Sequence, residues 1–64
     1  MKIGVQVKRE RERALLTQQE LADRAGIGKN TVNRIERNEG EPHMSTLRKL
    51  AKALDVDPTE LVGE

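Results

Sequence analysis

The sequence predicts an all-α fold of five short helices. Three observations carry that prediction. Apolar residues recur at three- and four-residue spacing in segments separated by Gly- or Pro-containing breaks, and no stretch reads as a strand. Helix-start signals open two of the segments, Thr17 with Glu20 and Asp57-Pro58 with Glu60. The chain has 64 residues and neither cysteines nor aromatics, so it forms one small domain, residues 1–64, around an aliphatic core.

Residues 3–15 read as the first helix. Ile3, Val7 and Ala14 mark one face, with Arg11 on the same face between Val7 and Ala14. Leu15 and Leu16 close it, and Leu16 is placed to staple against Leu21. The capping box of Thr17 and Glu20 starts a second helix over 18–25, with Leu21, Ala22 and Ala25 on its apolar face. Gly26 supplies a residue able to turn left-handed without a Cβ penalty. Gly28 is an acceptable N-cap for a third helix over 29–36, whose Val32 and Ile35 face inward. Glu36 falls beside Val32, so Arg11 and Glu36 are expected to meet as a buried or half-buried structural ion pair.

Residues 38–43 form a loop by composition. Met44, Leu47, Leu50, Ala51 and Leu54 then predict an amphipathic helix over 44–54. After a break at Asp55-Val56, the Asp57-Pro58 start introduces a short last helix carrying Leu61 and Val62.

No run approaches the roughly 18 apolar residues of a membrane span. The first five residues are too few and too polar for a signal peptide, so the cytoplasm is the expected location. The net charge is only +1, but it is unevenly spread. Residues 1–37 carry nine basic and five acidic side chains, giving +4; residues 38–64 carry three basic and six acidic, giving −3. On charge alone this reads equally well as one face for phosphates and another for something else, or as the surface of a merely soluble protein.

The second and third helices, joined by a short turn, make a helix-turn-helix. At about 100° per residue, Asn30, Asn33, Arg34 and Arg37 share the outer face of the third helix, with Lys29 at its leading edge and no acid among them. Asparagine is a poor choice for a merely solvated helix. Its amide matches adenine, and Arg or Lys matches guanine. Lys29, Asn30, Asn33 and Arg34 are the candidate base-reading residues on double-stranded DNA. Gln18, at a helix N-terminus with free N–H groups, is a candidate phosphate contact, as are Thr17, Arg37 and Asn38.

The chain resembles the lambda-repressor-like (Cro/XRE) helix-turn-helix family over nearly its whole length. The resemblance lies in Gln18-Gln19-Glu20-Leu21-Ala22, Gly26, Val32, Ile35-Glu36, Pro42 and Thr46 to Leu54. It implies a compact five-helix domain that binds operator DNA, usually as a homodimer on a two-fold site. By position it implies base reading by Lys29, Asn30 and Arg34, phosphate contact by Gln18 and Arg37, and an internal Arg11–Glu36 salt bridge. Leu15 and Asp55 stand where that family often has Gly, and Gly28 where it often has Ser or Thr. Costlier ends for helices 1 and 4 and a weaker cap on helix 3 are the expected result. His43 stands where a small capping residue is common.

Three function classes are weighed on these residues. The first is a sequence-specific transcriptional regulator, a repressor on a palindromic operator. The second is an antitoxin or other protein-interaction module on the same fold; no toxin-binding segment is read beyond Glu64. An enzyme is argued against, because neither a nucleophile nor a cleft accompanies Arg11 and Glu36. His43, the one histidine, has no partners for a metal site, and no cofactor or small-molecule ligand is expected. A homodimer, weak alone and strengthened on DNA, is expected to meet through the acidic half at Val56, Asp57, Leu61 and Val62.

Overall fold

The helices run in the order α1 (Ile3–Arg13), α2 (Gln18–Ala25), α3 (Lys29–Glu36), α4 (Met44–Leu54) and α5 (Thr59–Val62). This is a computed structural model describing residues 3–62, and no strand occurs among the described residues. α2 packs on α3 and on α4, while α1 lies against α3, α4 and α5. Val7, Leu21, Val32, Leu50 and Leu61 are fully buried where these elements meet. Ala22 is also fully buried, in keeping with a small residue where helices pack.

α2 starts as its capping box dictates. The Thr17 hydroxyl accepts from the Glu20 N–H at 3.1 Å, and the Glu20 carboxylate accepts from the Thr17 N–H at 2.8 Å. α5 starts similarly: Asp57 accepts from the N–H and hydroxyl of Thr59, and Glu60 accepts from the Asp57 N–H. Gly28 and His43, the N-caps of α3 and α4, make no side-chain cap bond.

The first four helices end in one recurring hydrogen-bonded turn. Leu15, Gly26, Asn38 and Asp55 each take a left-handed backbone, with φ of 59°, 71°, 58° and 58°. In each case the next residue donates its N–H to a carbonyl five positions back: Leu16 to Arg11, Ile27 to Ala22, Glu39 to Arg34 and Val56 to Ala51. This satisfies carbonyls that a helix end leaves orphaned. Three of the four turns then drop an apolar residue onto the core, namely Leu16, Ile27 and Val56. That anchoring offsets the cost of placing Leu15 and Asp55 in a conformation glycine adopts freely.

Four expectations are corrected. α1 stops at Arg13, not at residue 15, because the chain reverses through Leu15. Ala14 is accordingly exposed rather than part of the α1 apolar face, and Leu15 is 89% exposed. Met44, at the first position of α4, precedes the packed turns and is exposed. The sequence suggests Leu61 at a dimer contact, but it is fully buried within the bundle, where α5 closes against α1.

Candidate nucleic-acid interface

Lys29, Asn30, Thr31 and Arg34 are exposed along α3, and Arg37 caps its C-terminal end. The N-terminus of α2 carries Thr17 and Gln18. Helix geometry leaves the N–H groups of Gln18 and Gln19 without intrahelical partners there, and the helix dipole makes that end attractive to an anion.

A polar chain runs behind this face. Arg11 grips Glu36 with two bonds, Nε to Oε2 at 2.7 Å and Nη2 to Oε1 at 3.1 Å. Its Nη1 donates to the Leu16 carbonyl at 2.8 Å, holding the turn between α1 and α2. The side chains are 13% and 4% exposed, so the pair is largely withdrawn from water. The hydrogen bond to Glu36 holds the Arg11 guanidinium above its ordinary pKa, against the opposing effect of burial. Glu36 Oε1 also accepts from Gln18 Nε2 at 3.1 Å, and Gln18 Oε1 accepts from Asn33 Nδ2 at 3.4 Å. Asn33 is half-buried, unlike Lys29, Asn30 and Arg34.

At the other end of α3, Asn38 Oδ1 accepts from the Gly4 N–H at 3.0 Å. The start of α1 is thereby joined to the end of α3, positive helix end to negative. Gly4 has no room for a side chain: a Cβ there would stand under 3.0 Å from the Ile35 and Glu36 carbonyl oxygens and from Asn38 Oδ1. Arg37 Nε lies 3.2 Å from a Glu39 carboxylate oxygen at the surface. An open cleft of about 220 Å³ separates α3 from the following loop, with Thr31, Arg34, Glu39, His43 and Thr46 among its lining. No group of three or more His, Asp or Glu side chains converges on a metal-sized site among the described residues.

The helix-turn-helix family model HTH_3 matches residues 7–61. The chain belongs to this family. Among its curated relatives, the immunity repressor protein of Bacillus phage phi105 is 36% identical over 64 residues, covering all of this chain and 44% of that protein. The chain spans about half the length of the curated relatives it matches. Two solved structures align with most of it. The restriction-modification controller protein C.AhdI from Aeromonas hydrophila has a TM-score of 0.91 and 33% identity, covering 94% of this chain and 91% of that one. SinR, a master regulator for biofilm formation solved in complex with DNA, has a TM-score of 0.90 and 34% identity, covering 94% and 97%. The family resemblance read from the sequence therefore holds, as does the all-α fold.

Within this HTH_3 bundle Thr17 caps α2, Arg37 and Asn38 lie at the end of α3, Leu61 is in the core, and the other site residues expected from the sequence fall into three groups. Lys29, Asn30 and Arg34 lie together on the open face of α3. Gln18, Asn33, Arg11 and Glu36 are linked by hydrogen bonds behind it. Val56 and Val62 are half-buried, and Asp57 is occupied in the α5 cap. The sequence pattern marks neither Gly4 nor Glu39 as a site residue. A glycine near the start of a helix is a signal of close backbone approach. The Arg37–Glu39 pair carries no such signal, because it depends on the shape of the turn at Asn38.

Proposed function

We propose that the chain is the DNA-binding part of a transcriptional repressor that reads a specific double-stranded operator with α3 in the major groove. The observation that carries this reading is the likeness to DNA-bound SinR, joined to an open α3 face that presents Lys29, Asn30 and Arg34. Lys29 and Arg34 suit guanine edges and Asn30 suits adenine. Gln18 and the unbonded amides of α2 receive one phosphate, with Thr17 beside them. Arg37 and the remaining Asn38 amide hydrogens receive another. The protein acts in the cytoplasm as a binding module and not as an enzyme.

One recognition helix covers only a few base pairs. Two copies on a palindrome, with their α3 helices about 34–36 Å apart, supply the specificity. Val56, Asp57 and Val62 offer a small contact surface, smaller than expected because Leu61 is spent inside the bundle. Association is therefore weak in solution and strengthened on DNA by effective concentration.

Selection of bound duplexes from a random pool, followed by salt-dependent gel shifts, tests the reading. A recurring two-fold sequence is expected. Arg34→Ala should cost roughly 1–3 kcal/mol on that sequence and relax discrimination at one position in each half-site. Recovery of no preferred sequence, or unchanged discrimination by Arg34→Ala, refutes it.

A further inference from the structure

We infer that Asn33 is a positioning residue, not a base reader: it fixes the Gln18 carboxamide so that one Gln18 amide hydrogen faces a DNA phosphate. This inference rests on the DNA-binding reading above. Two neighbours, Glu36 and Asn33, determine which way the Gln18 amide points. Glu36 is engaged by Arg11 and offers only acceptor oxygens, so Gln18 turns Nε2 toward it, at 3.1 Å. The Gln18 oxygen then faces α3, where Asn33 Nδ2 meets it at 3.4 Å. Rotating the amide by a half-turn would set oxygen against oxygen at Glu36 and nitrogen against nitrogen at Asn33. Glu36, with acceptors only, excludes the reversed orientation, and the Asn33 bond adds a second tie to the orientation that Glu36 selects.

Nε2 carries two hydrogens, and Glu36 takes one. The other is left at the N-terminus of α2, beside the unbonded backbone N–H of Gln18. An unconstrained glutamine would lose rotamer freedom on gripping a phosphate. Here that ordering is completed in the free protein, which is the effect of preorganisation on affinity. Asn33 suits this role in placement as well: it is half-buried and turned toward α2, whereas Lys29, Asn30 and Arg34 are exposed. The bond is long, so its effect is that of a single neutral hydrogen bond.

The test compares Asn33→Ala, Gln18→Ala and the double variant for binding to the selected duplex and to a panel of its single-base-pair variants. Thermal unfolding is measured alongside. Asn33→Ala should weaken every duplex by a similar factor, roughly three- to tenfold, with the melting temperature little changed. On the Gln18→Ala background it should cause no further loss. The Gln18 side-chain amide signals in NMR should shift toward free-glutamine values in Asn33→Ala. A loss confined to one base-pair position, additive losses in the double variant, or unchanged binding overturns the inference while leaving the DNA-binding reading intact. Failure of the unaltered protein to bind any duplex removes that reading, and the inference with it.

Discussion

The α1–α3 side of the bundle adds directional bonds to its apolar packing, whereas the α4–α5 side relies on aliphatic burial. On the first side, Arg11, Glu36, Gln18 and Asn33 form a continuous chain, and Asn38 ties α3 to the start of α1. On the second, Leu47, Leu50, Ala51, Leu54 and Leu61 are buried, while Arg48, Lys49 and Lys52 remain outside. Apolar burial is non-directional and stabilises in proportion to area. Hydrogen bonds contribute less net free energy but specify orientation. α4 and α5 therefore chiefly keep the bundle folded, while the polar chain chiefly aims α3 and the end of α2.

The largest effect expected is on the apolar side. Leu50→Ala should destabilise by about 4 kcal/mol, since the residue is fully buried and a cavity remains. In so small a domain this takes much of the stability, and a denaturant titration would show it. The fraction still folded should keep its base preference. If that preference changes, the division of labour is wrong.

Breaking the polar chain should come next. Glu36→Ala strands the Arg11 charge and should cost about 3 kcal/mol, at the low end because Arg11 retains some exposure. The double change of Arg11→Met with Glu36→Leu should recover most of that stability. DNA affinity should nevertheless stay reduced, because Gln18 has lost the acceptor that orients it. Full recovery of both quantities in the double variant would show that the chain contributes only stability.

Two smaller effects are expected. Leu15→Gly should stabilise by roughly 1 kcal/mol, by relieving the left-handed backbone without losing packing, since the side chain is exposed. A raised melting temperature checks it. The smallest effect is on acid tolerance. Hydrogen bonds from the Thr17 N–H and hydroxyl hold Glu20 below its usual carboxylate range, and those from the Thr59 N–H and hydroxyl hold Asp57 below its own. The unfolded chain therefore takes up these protons first as pH falls. The stability they contribute is complete above the ordinary carboxylate values and is lost as pH drops through the lowered folded ones. Glu20→Gln and Asp57→Asn should each flatten the acid side of a melting-temperature profile slightly, one on either side of the bundle.

Much of the fold was legible because it is written in local chemistry. Thr17 and Glu20 are three residues apart and cap one turn; Leu47, Leu50, Ala51 and Leu54 repeat with the helix. What the sequence does not show depends on tertiary placement. In a helix as short as α5, periodicity does not say which of Leu61 and Val62 turns inward, and the fold uses Leu61 to close on α1. Asn33 shares the outer face of α3 by angle alone, yet its amide reaches back to Gln18 on the preceding helix. Gly4 answers to carbonyls at the far end of α3. α1 ends two residues before the point its sequence pattern predicts, because a left-handed turn is built on Leu15, where propensity favours glycine.

The four matching turns after α1 to α4 bear on how fast the chain assembles. Each reversal closes a loop of only six residues by its own backbone bonds, so little chain entropy is lost before neighbouring helices meet. Three of the reversals also deliver an apolar residue to the growing core as they form. A topology of such local contacts belongs with the helical bundles that fold in roughly microseconds to milliseconds. A helix-turn-helix built this way would regain its exposed α3 face almost at once after a transient opening.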